Sequence, residues 1–229
     1  TLNLTTGTLA ASSGGTVQIG VAATTVTTNV TSGVLSANTT FGYTTGAYNI
    51  TYNGGAAINT GNELSEATAT NGSISVSVAN TNVSLTKNAI INSLSVITGS
   101  STKFTLNGYS LTLKGSGTVI TNTAGGVIDG STVGSKLIMN GTAAQSISGT
   151  GNWTTVTGIL NNSLQILTIN NSNNSNISLN FPLSIQNGLY LFNGVLTGSG
   201  SLTLGNGTVN TLTINIGVSG GTSPGGSIN

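Results

Sequence analysis

Residues 50–57 read ITYNGGAA, and 87 positions further on residues 137–144 read LIMNGTAA. Each phrase is a short alternating apolar run, then Asn-Gly, then small residues. Alternation with period two puts every second side chain on one face of a strand. Asn and Gly accept the positive φ of tight turns. Each phrase therefore encodes a strand and the corner after it, and its return predicts an array.

Other matches keep the same order. GSGTV at 115–119 returns as GNGTV at 205–209, SLTL at 110–113 returns at 201–204, and VSL at 83–85 resembles ISL at 177–179. LNLTTGTL at 2–9 resembles LYLFNGVL at 189–196, about two periods away. Chance matches in a low-complexity chain would scatter, so a period of roughly ninety residues is read as real. It divides the chain into a lead-in over 1–40 that ends a preceding repeat, repeat units over 41–126 and 127–217, and a Gly-rich tail or hinge over 218–229. The chain starts at Thr1 with neither Met nor a signal peptide, which reads as a mature or excised piece of something longer.

Strands are expected at SISVSV (73–78), VSL (83–85), SLSVI (93–97), KFTL (103–106), SLTL (110–113) and KLIM (136–139). More follow at LQILTI (164–169), ISLNF (177–181), LYLF (189–192), SLTL (201–204) and TLTI (211–214). Asn-Gly steps at 53–54, 107–108, 140–141, 187–188 and 193–194 are expected to separate strands. Helical periodicity is absent, so essentially no helix is expected. Two all-β architectures fit: a parallel β-solenoid (β-helix) of short coils, or tandem β-sandwich repeats. The solenoid is preferred, because strands are short, their spacing drifts, no linkers punctuate the units, and only 4% of residues are aromatic to build separate cores. At about 20 residues per coil and ~4.8 Å per coil, the chain makes roughly eleven coils in a rod of about 50 Å.

Only 3% of the 229 residues are charged, against about 25% in a typical globular domain. The 36% hydrophobic content is patterned and rich in Leu, Ile and Val, which argues against disorder. A net charge of +1 leaves no electrostatic footprint for nucleic acid. No apolar run approaches the ~18 residues needed for membrane insertion. Cysteine is absent, which removes disulfides and thiolate metal sites. A coat of Thr, Ser and Asn with four Lys and no Arg suits the cell exterior.

KLIMNGTAAQSISGTGNWTTVTGILNN at 136–162, followed by LTINNSNNSNISLNFPLSIQNGLYLFNGVLTGSGSLTLGNG at 167–207, resembles the repeats of very large Bacteroidetes surface proteins. Residues 50–68 and 76–97 follow the same order more loosely. The resemblance implies an extracellular adhesin exported by type IX secretion, of the gliding-motility type.

No catalytic constellation is present. Without His or Cys there is no Ser–His or Cys–His nucleophile pair. The three acids are Glu63, Glu66 and Asp129. Glu63 and Glu66 are close in sequence and read as a solvated pair in a turn rather than an acid and base. They would make one weak calcium site at best, so no metal, cofactor or enzymatic activity is expected. A Lys–Asn crosslink at Lys87 or Lys114 has no acid paired with it in the sequence. Tyr43, Tyr48, Tyr52 and Trp153 are candidates for stacking on sugar rings, but capping the bore or packing along a strand face is the favoured reading. Asn29, Asn38, Asn49, Asn82, Asn152 and Asn176 stand in N-x-S/T acceptor motifs, as candidate glycosylation sites.

The expected function is a non-enzymatic structural segment of an extracellular repeat adhesin or surface filament: a stiff stalk with adhesive polar faces. Its partners would be neighbouring repeats or copies of itself end to end, and surface polysaccharide or another cell. The alternatives are a self-polymerising glycosylated filament subunit joined by strand exchange, and an ice-binding solenoid hinted at by TTVTT (24–28) and TLTI (211–214).

Overall fold

The computed structural model describes residues 1–10, 15–42, 45–66, 73–97, 102–153, 162–172, 175–205, 213–216 and 227–228. Alternation decides which side chains enter the interior. On successive strands Thr28, Ile50, Val76, Leu94, Ile120 and Ile147 stand in register, and all are buried. The residues between them point outward. Stacking one coil on the next thus turns a local period of two into a continuous apolar bore.

Three sheets wrap this bore. The largest has ten strands, beginning with Leu2–Leu4, Val26–Val30, Ala47–Tyr52 and Ser73–Val78, and running through Ser93–Val96, Gly117–Asn122 and Gln145–Gly149 to Ser227–Ile228. A five-strand sheet includes Asn82–Ser84, Lys103–Thr105 and Val127–Asp129, and ends at Asn152–Trp153. A seven-strand sheet includes Ala89–Ile91, Ser110–Leu113, Lys136–Met139, Ser163–Asn170 and Leu183–Asn193. Two small two-strand sheets cover the first coils. Every strand pair among the described residues is parallel, and no α-helix occurs among them. The protein is therefore an all-β parallel solenoid, and not a string of antiparallel sandwiches.

The coils differ in length. Ser93 bonds to Ser75, 18 residues back, whereas Asn180 reaches Ser148, 32 residues back. Ten strands stack in the largest sheet where about eleven coils were expected, because most coils exceed 20 residues once three sheets and their corners are threaded.

The two opening phrases land on different sheets. Ile50 belongs to Ala47–Tyr52 of the ten-strand sheet, whereas Leu137 belongs to Lys136–Met139 of the seven-strand sheet. VSL and ISL likewise fall on the five-strand and ten-strand sheets. SLTL, by contrast, falls both times on the seven-strand sheet, so some returning pieces keep their side of the rod and others change it. GNGTV at 205–209 lies almost entirely outside the described residues. The ten-strand sheet also crosses residue 126 without interruption, since Asn122 pairs with Gly149.

The Asn-Gly steps divide in the same way. At Asn107-Gly108 both residues have positive φ, 53° and 85°, and the Tyr109 N–H donates to the Leu106 carbonyl at 2.9 Å. That turn makes a corner between parallel strands rather than a hairpin. Asn187-Gly188, by contrast, lies inside Leu183–Asn193. A Cβ at Gly188 would come within 2.7 Å of the Tyr190 ring, which would have to turn aside. A register shift between Thr118 and Ile120 tucks both Val119 and Ile120 inward, the work of a β-bulge.

Candidate functional site

Three of the aromatic residues singled out in the sequence are buried. Tyr48 and Tyr52 are 0% exposed and Trp153 is 1% exposed, so no sugar ring reaches them. All three occupy inward positions of alternating strands. Trp153 stacks on Phe181, with ring centroids 5.7 Å apart and planes 22° apart. Tyr43 lies outside the described residues.

Glu63 corrects an expectation. It is buried rather than solvated, at 1% exposure, while Glu66 is exposed. The Gly61 N–H and the Tyr52 hydroxyl donate to Glu63 Oε1 at 2.7 and 3.0 Å. The Tyr48 hydroxyl reaches the Glu63 carbonyl at 3.1 Å and Thr28 Oγ1 at 3.2 Å. Glu63 Oε2 is buried with no hydrogen-bond partner among the described residues. The neighbouring Asn62 faces the other way: its amide donates to the Ser36 and Ala37 carbonyls, and its Oδ1 accepts from the Lys87 ammonium. Lys87 thus meets an Asn, but the Glu63 carboxyl turns away from the pair into the bore, toward Tyr52.

Burial raises the Glu63 carboxyl above its ordinary range. It outweighs the Gly61 and Glu63 backbone N–H groups, the Tyr52 hydroxyl and the Lys87 charge, all of which favour the carboxylate. The folded chain therefore holds this proton more tightly than the unfolded chain. The resulting stability is complete below the unfolded value of about 4.3 and is lost as pH rises through the folded value. Asp129 has the opposite sign. Burial pushes it up, but the Lys103 ammonium at 2.6 Å and two donors from Ser131 prevail and lower it. Its contribution is complete above about 3.9 and is lost as pH falls through the folded value. The chain has no His to titrate in between. Stability measured by urea denaturation should fall as pH rises from about 4.3 through the folded Glu63 value and then level off, and Glu63→Gln should flatten that slope. An unchanged slope in the variant would assign the effect to another group.

The outward side of the ten-strand sheet carries small polar columns. Asn3, Asn29, Thr51, Ser77, Ser95 and Thr121 stand in register, and Thr27, Asn49, Ser75 and Ser93 form a second column. They bond along the rod, for example Asn29 Nδ2 to Asn3 Oδ1 at 2.8 Å and Ser93 Oγ to Ser75 Oγ at 3.2 Å. Of the acceptor-motif residues named above, Asn29 and Asn49 are built into these columns and half-buried. The other four, Asn38, Asn82, Asn152 and Asn176, are exposed.

A groove of about 590 Å³ runs along the outward side of the seven-strand sheet. Lys114, Lys136, Tyr190 and Phe192 are among its lining residues. Sequence reasoning missed this site, because its residues come from strands of five coils and share no motif. The one available signal was LYLF at 189–192, whose outward positions are Tyr190 and Phe192. Among the described residues no group of three potential metal ligands occurs, and no helix is long and apolar enough to cross a membrane.

These features define a parallel β-solenoid with a polar coat, a buried acid and a groove on its seven-strand face. No protein-family model, curated protein or solved structure matches the chain.

Proposed function

We propose that this chain is a non-enzymatic structural segment of an extracellular repeat adhesin or surface filament. It acts as a stiff stalk whose polar faces adhere weakly at many points. The observation that carries the reading is the ten-strand parallel sheet, continuous from Leu2 to Ile228. Nine strand spacings of ~4.8 Å give a rod of about 43 Å held together by backbone hydrogen bonds along its length. Neighbouring repeats or further copies of the chain would extend it end to end. Export by type IX secretion and a part in gliding rest on the resemblance of the repeats alone.

The test is the mass of the native polypeptide that carries this segment, fully denatured and deglycosylated. A mass far above 22.6 kDa supports the stalk. A mass near that value overturns it in favour of a filament subunit that polymerises.

The outward columns also favour a second reading, ice binding. They offer a regular surface, but they mix Asn, Ser and Thr where a methyl-bearing Thr array would pack best against a lattice. The stalk reading expects no thermal hysteresis from the purified chain. A measurable freezing-point gap would replace the stalk with ice binding.

A further inference from the structure

The groove on the seven-strand sheet combines two features that recur nowhere else among the described residues. The first is a pair of ring faces on the surface. Tyr190 and Phe192 occupy successive outward positions of Leu183–Asn193, with centroids 6.1 Å apart and planes tilted by 33°. Gly188 lets the Tyr190 ring lie back along the sheet, since a Cβ there would sit 2.7 Å from the ring edge. The two rings make a shallow platform half open to solvent.

The second feature is charge without a partner. The chain has four lysines. Lys103 is paired with Asp129, and Lys87 bonds to Asn62. Lys114 and Lys136 make no side-chain bond among the described residues, and both line this groove. No acid lines it: Glu63 is in the bore and Asp129 is occupied by Lys103. Lys136 pairs with Ile166 and through it with Gly188, so it marks one end of the groove. Lys114 follows Leu113, the partner of Met139, and marks the other end beside Asn140. Four residue positions separate the two ends along the strands, about 13 Å. The surface between them carries Thr112, Thr168 and the Asn140 and Asn170 side chains, with Ile90 and Ile138 among them, and the Asn170 Oδ1 accepts from Asn193 at 2.9 Å.

We infer that this groove binds an anionic polysaccharide, a polymer of uronate or sulfated sugars. The apolar face of a sugar ring stacks on the Tyr190–Phe192 platform, the Asn and Thr side chains meet its hydroxyls, and Lys114 and Lys136 take acidic groups on sugars further along the polymer. A single-stranded nucleic acid is the poorer fit. It presents a charge at every nucleotide and calls for a basic track, whereas this groove offers two lysines, Lys114 and Lys136. The inference deepens the adhesive-stalk reading and rests on it for placing the groove outside the cell. Binding and parent mass are separate measurements, so either can fail alone.

The test is affinity electrophoresis of the full 229-residue chain in native gels containing polygalacturonate, neutral dextran or no polymer. Retardation by polygalacturonate, weak or absent in dextran and reduced by added salt, is expected. The double variant Lys114→Gln with Lys136→Gln should weaken it by about tenfold or more, and Tyr190→Ala by about tenfold. Tyr190→Phe keeps the ring and should bind as the parent chain does. Lys87→Gln removes a cation outside the groove and should also bind normally. All these changes are on outward-facing or corner side chains, and thermal melts of each variant confirm that it is folded. Three results would overturn the inference: no retardation by polygalacturonate, equal retardation of the double lysine variant while folded, or stronger binding to oligo(dT) at the same salt. The last would make the groove a nucleic-acid site.

Discussion

Gly149→Ala is expected to lower the unfolding free energy by about 3–5 kcal/mol. Gly149 ends Gln145–Gly149 with a φ of 133°, a conformation that L side chains rarely adopt. A Cβ built there lies 1.8 Å from the Asn122 carbonyl oxygen of the coil below. That oxygen is fixed, because it accepts from the Gly151 N–H at 2.9 Å, and the Asn122 amide donates to the Asn152 carbonyl at 2.8 Å. Strain and clash therefore add, and the coils cannot separate without losing these bonds. Gly55→Ala is the control. Its φ is 70°, but open space surrounds a Cβ there, so only the torsional cost of about 1–2 kcal/mol applies. Chemical denaturation of both variants measures the difference. Equal losses would mean that the close approach of the two coils contributes nothing.

Phe104→Ala is the second large effect, again about 3–5 kcal/mol. Phe104 is fully buried in Lys103–Thr105, in register between Val83 and Ile128. Truncation leaves a void in a bore whose walls are held by sheet hydrogen bonds on neighbouring coils, so collapse into it is limited. Phe104→Leu keeps most of the volume and should cost under about 1.5 kcal/mol. In a solenoid each coil touches mainly its neighbours. Amide exchange should therefore quicken first around Val83, Phe104 and Ile128, while the coils at Leu4 and Val30 keep their protection. A uniform loss of protection along the chain would show instead that the rod unfolds as one unit.

Much of this was readable before any coordinates. SISVSV, SLTL and KLIM became strands over the expected residues, because alternation is a local property of the chain. The corner at Asn107-Gly108 was readable because positive φ is also local. Glu63 was not. A carboxylate in a polar stretch between strands reads as solvated, and only the inward turn of Gly61–Leu64 against Tyr48 and Tyr52 buries it. Core packing is the favoured reading of Tyr48, Tyr52 and Trp153, and all three are buried; alternation sets Tyr48 and Tyr52 on the side of Ile50. Tyr190 and Phe192 take the side of their strand opposite the buried Leu189 and Leu191.

By itself the sequence determined that this chain is all-β, that its strands are short and two-sided, and that like pieces follow one another without linkers. Those are properties of neighbours a few residues apart. The tertiary structure alone decided which sheet each strand joins, because coils of 18 to 32 residues carry some equivalent phrases to different sides of the rod and others to the same side. It alone brought Lys114, Lys136 and Tyr190 to one groove. Their proximity depends on the register between coils, which is set by the lengths of the corners and the fit of the bore rather than by any motif in the chain.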